Sequence, residues 1–311
     1  MKGGKKLQQH PLTKANAATR QEIWGKGLCF LAIGLIIAMV AALLFFITSH
    51  GIKTFSHDGV SLWQFLTGTH WNPGVVDATG QPQVGALPLI VTSFAVTILA
   101  ALLATPFAFG VALYVTEISP KHGAKILQPV MELLVGIPSV VYGFLGLTLL
   151  VPTVRKVFGG SGFGILPGAL LLFVMILPTI TSLAIDSLNA VPQHLRQAAS
   201  ALGATRWQTI YKVLLPVATP GLLTAIIFGM ARAFGEALAV QMVIGNATLM
   251  PTSLLTPAST LTSKLTTDIG NTIMGTLPND VLWSLALVLL LMSLVFNLLI
   301  RLIAKKGRNY A

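Results

Sequence analysis

The stretch RQAASALGATRWQTIYKVLLP, Arg196 to Pro216, decides how the rest of this chain is read. It is a mildly basic helix–turn–helix pattern set between two long apolar runs. Connections between bundled helices usually take about 2–8 residues. An amphipathic connector this long, on the basic side of a membrane, marks a docking place for a soluble partner.

The runs on either side make the chain a membrane protein. Charged residues are 9% of the sequence and apolar residues 54%, where a soluble domain carries roughly 25% charged. A bilayer core of about 30 Å needs about 20 apolar residues in a helix. Six windows supply them: Leu28–Thr48, Leu87–Thr116, Leu127–Pro152, Phe163–Ile185, Val217–Gly245 and Val281–Ile300. The expected fold is all-α, an integral membrane protein with six transmembrane helices. The first run is too long for the apolar region of a cleavable signal.

The net charge of +11 invites a nucleic-acid reading, but its distribution argues for topology instead. With the N-terminus inside, the inner segments 1–27, 117–126, 186–216 and 301–311 hold six, two, three and four Lys or Arg. Outside lie Lys53, Arg155, Lys156 and Lys264, while Arg232 sits within the fifth window. That asymmetry puts both termini in the cytoplasm, with basic ends able to touch lipid headgroups. No nucleic-acid partner is needed to explain it.

The organisation expected is a cytoplasmic segment (1–27), a first span (28–48), an outer loop (49–86), a membrane domain (87–303) and a cytoplasmic tail (304–311). The first span and its loop read as an N-terminal addition. The loop is polar and rich in turn residues, with Trp63, Phe65 and Trp71 placed to rest on the membrane interface. A second outer segment, 246–280, is expected across the outer mouth. Cys29 is the single cysteine, so no internal disulfide forms, and the six histidines show no metal-ligand spacing. Pro106, Pro129, Pro138, Pro167 and Pro178 fall inside the windows. Each removes a backbone donor, which is tolerated where neighbours or a water-lined cavity satisfy the freed carbonyl.

Arg232 and Glu236 are the leading candidates for substrate translocation. A charge at the centre of a membrane helix costs at least about 2.5–3.5 kcal/mol and faces protein or a cavity. At about 100° per residue, both fall within the arc of the small residues Gly221, Ala225, Gly229 and Ala233, a stripe suited to close helix contact. Two readings stay open for the pair. Either it is an internal ion pair, one turn apart, or Arg232 attracts an anion that Glu236 orients. Arginine suits an oxyanion because its planar fork donates paired hydrogen bonds and keeps its charge when buried. Glu132 shares a face of the expected third span with Gly136, Ser139 and Gly143, near the cytoplasmic end, which favours a structural or gating role. Asp186 reads as a boundary charge.

No GxxxxGK[ST] phosphate loop, GxSxG elbow or HExxH motif occurs. No catalytic residue, metal or cofactor is therefore assigned to this chain. Moving an anion into a cell that is negative inside costs about 2.3 kcal/mol per charge per 100 mV. The energy must come from another polypeptide, docked on the Arg196–Pro216 loop.

That loop resembles the EAA loop of importer-type ABC permeases, carried here by Gln197-Ala198-Ala199, Gly203, Val213, Leu215 and Pro216. Gln197 stands for the family's Glu and Val213 for its Ile. GIPSVVYGFLGL (Gly136–Leu147) and ARAFGEALAVQMVIGN (Ala231–Asn246) resemble the permeases of the bacterial phosphate-specific ABC importer, of the PstC type. The resemblance implies a type I ABC importer permease fold and passage of phosphate at Arg232 and Glu236. It implies an ATPase-coupling loop over 191–216, with ATP and Mg held by a partner ATPase. The implied partners are a second homologous permease of the PstA type, a dimeric cytoplasmic ATPase and an external phosphate-binding protein. Other oxyanions (molybdate, tungstate or sulfate) keep the class and change the cargo. A stand-alone anion channel or carrier is the rival from another class.

Overall fold

The computed structural model describes residues 17–76, 80 and 82–307. Parts of the expected N-terminal segment, outer loop and tail (1–16, 77–79, 81 and 308–311) lie outside the described residues. Among those described, six helical stretches are long and apolar enough to cross a membrane: Trp24–Ser56, Leu87–Ile118, Ser139–Phe158, Ile165–Asn189, Arg206–Phe234 and Leu277–Leu302. Four agree with the sequence windows to within about two turns at the ends. The fifth starts and ends eleven residues before its window, and the third is displaced as well.

By its contacts the chain divides after Ser49. The first unit is the greater part of helix α1 (Ala17–Ser56), whose apolar side chains from Leu28 to Leu44 are exposed within this chain. The second unit begins with the end of α1 and the outer segment, α2 (Leu62–Thr67), β1 (Trp71–Val76) and β2 (Pro82–Val84). The two strands pair antiparallel, Trp71 opposite Val84. Here the expected interfacial ring positions are corrected. Phe65 is fully buried and Trp71 nearly so, stacked edge to face at 6.4 Å. They share a core with Val281, Leu282 and Leu285. Only Trp63 stays exposed. The loop folds onto the later helices because its aromatic residues find long-range apolar partners that no local pattern reveals.

Next come α3 (Leu87–Leu113), α4 (Pro120–Gly136), α5 (Ser139–Leu145), α6 (Val151–Phe158) and α7 (Ile165–Asn189). The remaining helices are α8 (Gln193–Ala201), α9 (Arg206–Thr209), α10 (Leu215–Phe234), α11 (Leu238–Ile244), α12 (Leu261–Asp268) and α13 (Leu277–Gly307). At the centre, α3 offers Ala100, Ala104, Ala108 and Ala112, all fully buried at a spacing of four. In lipid, where apolar surface alone does not drive association, such small residues let backbones approach and gain dispersion contacts. The expected stripe on α10 does the same against α7. A Cβ on Gly221 would meet Ser187, and one on Gly229 would lie 2.4 Å from Ile180 Cγ1.

Three helices widen into π turns, at Tyr114–Ile118, Gly146–Leu150 and Ile210–Leu214. Each is followed two residues later by a proline: Pro120, Pro152 and Pro216. Proline cannot donate to the carbonyl four residues back, and each of those carbonyls falls inside a π turn. The wider bonds Ser119 N to Tyr114 O, Val151 N to Gly146 O and Leu215 N to Ile210 O mark the shift. Of the prolines marked in the sequence, Pro106, Pro129 and Pro178 lie inside helices. Pro167 sits in the first turn of α7, where no intrahelical donor is missed.

Pro138 explains the error in the third span. Ile137 and Pro138 are extended (ψ 126° and 140°) and separate α4 from α5. The span is Ser139–Phe158 rather than Leu127–Pro152. Glu132 belongs to α4, a helix of its own, and not to a face shared with Ser139 and Gly143.

Candidate functional site

The two stretches GIPSVVYGFLGL and ARAFGEALAVQMVIGN, nearly a hundred residues apart in sequence, pack on one another. Gly143 of α5 faces Ala239 and Met242 of α11, and Gly146 faces Val243, each so closely that a Cβ would lie 3.0 Å or less from a neighbouring atom. Tyr142, next to Gly143, donates to Leu134 O at 2.8 Å and so ties α5 back to α4. The Tyr142 hydroxyl is also within electrostatic reach of Arg232.

Helix α10 ends at Phe234 and α11 starts at Leu238, so the fifth window is not one continuous helix. This break supplies a partner for each charge. Arg232 lies in the last turn of α10, where the carbonyl end of a 20-residue helix favours a cation. Its Nη1 donates to Thr179 Oγ1 on α7, and the side chain is otherwise exposed within this chain. Glu236 Oε1 accepts the amide of Ala239 at 3.2 Å, meeting one of the orphan donors that open a helix. Thr262 donates to the Glu236 carbonyl at 2.8 Å, bringing α12 to the same corner. Among the described residues no ion pair joins Arg232 to Glu236. The expected common arc is lost because the chain turns between them, and the ion-pair reading goes with it.

Thr179 was not singled out from the sequence, although a signal was present. Thr179, Ser182, Asp186 and Asn189 recur at intervals of three, four and three, one face of a helix. The last three line a cavity of about 710 Å³ with Thr116, Glu132 and Pro178. Glu132 and Asp186 thus share one chamber, built by α3, α4 and α7. Asp186, near the C-terminal end of α7, lines that chamber on the polar face that runs from Thr179 to Asn189.

That connector is built with unusual local definition. Helix α8 ends in a Schellman motif, Ala204 N to Ala199 O and Gly203 N to Ser200 O, both 3.1 Å. Gly203 has φ +78°, and a Cβ there would meet nothing within 4 Å. Its need for glycine lies in backbone conformation, not in a clash. A capping box then opens α9: Gln208 N bonds Thr205 Oγ1 at 3.3 Å and Thr205 N bonds Gln208 Oε1 at 2.9 Å. Gln197, Ala198 and Gly203 are exposed while Ala199 is buried. Leu215 and Pro216 belong to the first turn of α10, with Leu215 packed on the inner core, so they anchor the connector and do not form its surface. Leu202 is 88% exposed and Trp207 66%. Two large apolar residues projecting from a polar connector suit a protein partner better than water.

Among the described residues no group of three or more His, Cys, Asp or Glu is placed to hold a metal. Residues 105–309 match the family of binding-protein-dependent transport system inner membrane components. A probable ABC transporter permease protein of Bacillus subtilis strain 168, YqgH, is 50% identical over 288 residues, covering 92% of both chains. The phosphate transport system permease protein PstC of Pasteurella multocida is 32% identical over 300 residues, 88% of this chain and 89% of that one. The fold is similar to that in a crystal structure of a bacterial alginate ABC transporter, with TM-score 0.59 and 16% identity over 92% of this chain and 96% of that chain.

Proposed function

This chain belongs to the binding-protein-dependent transport system inner membrane components, as a multi-pass ABC importer permease subunit and not an enzyme, and we propose that its cargo is inorganic phosphate. The observation that carries the reading is Arg232. It is a cation in a membrane helix, stabilised by a helix end and Thr179, with the rest of its guanidinium unoccupied by any carboxylate among the described residues. A guanidinium so held offers paired donors to a tetrahedral oxyanion. The PstC relatives support phosphate as that anion.

In this reading an external binding protein delivers phosphate to the outer side. The anion passes Arg232, and Glu236 acts by setting the α10–α11 corner. It then follows Thr179, Ser182 and Asn189 along α7 into the chamber lined by Glu132 and Asp186. Carboxylates there repel an anion, which favours release over retention; Glu132 sits where it gates that exit. A second permease of the PstA type completes the passage. A dimeric ATPase, holding ATP and Mg, docks on the α8–α9 connector from the cytoplasm, where both termini also lie.

The test is purification of the intact complex from its native membrane, partner identification by mass spectrometry, and ATP-driven uptake in proteoliposomes. Phosphate is expected to accumulate, with sulfate and molybdate neither accumulated nor competing. Preferential uptake of another oxyanion would overturn the cargo, and uptake without any ATPase would favour a carrier.

A further inference from the structure

We propose that the ion pair Arg196–Glu117 is a strut that carries movement of α8 into the helices lining the inner chamber; both are positioning residues. The proposal rests on the reading that the α8–α9 connector docks on the ATPase. Arg196 stands on α8, immediately before Gln197. Its Nη2 donates to Glu117 Oε1 at 2.9 Å and to Leu188 O at 3.0 Å, and its Nη1 donates to Val191 O at 2.9 Å. One guanidinium therefore joins three segments: the docking helix, the carbonyl end of α7, and the π turn that continues α3.

The chemistry suits a rigid link. The pair is largely withdrawn from water, with side-chain exposures of 25% and 12%, so it is less screened than a surface pair. Leu188 O, among the last four carbonyls of α7, already accepts Val191 N at 3.3 Å, so the guanidinium adds a second, charged donor, and a cation there also complements the helix dipole. Lysine can match the charge but not the fixed fork that reaches several acceptors at once. Both far ends of the strut bear on the chamber. Val111, Val115 and Thr116 on the α3 side, and Ile185, Asp186 and Asn189 on the α7 side, line it. Helices α3 and α7 are themselves packed through the alanine stripe, so a push delivered at Glu117 moves them as a pair. Without the strut, α8 keeps its covalent attachment to α7 through Ala190–Pro192 and the apolar contact of Leu195 with the cluster that holds Ala112, but no hydrogen bond or ion pair ties it to α3 or its π turn among the described residues.

The experiment uses the complete complex with its ATPase, reconstituted in proteoliposomes, with a reporter thiol Val135→Cys in the chamber on a Cys29→Ser background. The rate of maleimide labelling is compared without nucleotide and with ATP plus vanadate. With Arg196 and Glu117 intact, nucleotide is expected to change labelling several-fold. In Arg196→Ala, Arg196→Lys and Glu117→Gln the ATPase is expected to co-purify and hydrolyse ATP, while the labelling change falls below twofold. Phosphate moved per ATP is expected to drop at least tenfold. A full nucleotide response in Arg196→Ala would overturn the strut. So would loss of ATPase co-purification in the nearly isosteric Glu117→Gln, since the pair would then govern docking rather than transmission. Labelling does not depend on the anion, so a normal labelling response without phosphate uptake speaks against the cargo alone.

Discussion

Replacing Gly229 with alanine tests whether the α7–α10 contact sets the position of Arg232. The added Cβ would lie 2.4 Å from Ile180 Cγ1 and 2.8 Å from Cδ1, whereas carbon atoms rest at about 3.5–4.0 Å. Ile180 is fully buried and, being β-branched, has little rotamer freedom with which to yield. Helix α10 must therefore retreat by roughly 1 Å, at a cost of about 1–3 kcal/mol for overpacking. Thr179 is the neighbour of Ile180, and Arg232 lies one turn beyond Gly229. The same retreat draws the guanidinium out of hydrogen-bond range of Thr179 Oγ1, since such bonds weaken steeply past about 3.2 Å. The expected result is a complex that assembles with lower thermal stability and takes up substrate at least tenfold more slowly. Ile180→Ala removes both clashing atoms, so the double variant is expected to recover uptake. Its stability is expected to exceed the sum of the single effects by about 1–3 kcal/mol. Unchanged uptake in Gly229→Ala, or no recovery in the double variant, would refute the argument.

Other expectations follow from single features. At Gly203 a left-handed backbone costs an ordinary residue about 1–2 kcal/mol, and β-branched residues most. Gly203→Asn is expected to keep ATPase co-purification and uptake near normal, while Gly203→Val lowers both; equal effects would contradict a backbone origin. Because Arg232 and Glu236 are held by separate partners, the stability effects of Arg232→Gln and Glu236→Gln are expected to add within about 0.5 kcal/mol. A coupling of 2 kcal/mol or more would restore the ion pair. For topology, Trp63→Cys is expected to react with an impermeant maleimide from outside and Ser200→Cys from inside only. Reaction of Ser200→Cys from outside would invert the orientation.

Much of the fold was legible because lipid imposes a simple rule on composition. The uncharged windows located four of six spans to within about two turns, and the charge asymmetry suggested their direction. The third span was misplaced since hydropathy runs on through Ile137 and Pro138, while the backbone there turns extended. The α10–α11 break escaped notice for a related reason. Ala-Phe-Gly-Glu-Ala-Leu contains no proline and continues a helical pattern, and only packing against Thr262 and α5 makes the turn favourable. The outer aromatic residues could not be assigned to the core from sequence because their partners lie some two hundred residues away. Arg232 stood out in the sequence by its cost in lipid and its place on the small-residue arc of α10. Thr179 lies on a polar spacing that was readable in the sequence but does not tell what the residue meets, and the strut at Glu117 needed tertiary structure because it pairs across 79 positions.

The most direct test of the account is ATP-driven phosphate uptake by the complete complex carrying Arg232→Gln, with Arg232→Lys beside it. Both variants are expected to assemble with the ATPase and retain its hydrolysis. Uptake is expected near zero for Arg232→Gln and weak for Arg232→Lys, which keeps the charge but loses the paired donors. Substantial phosphate accumulation by an assembled Arg232→Gln complex would contradict the account and return Arg232 to a structural role.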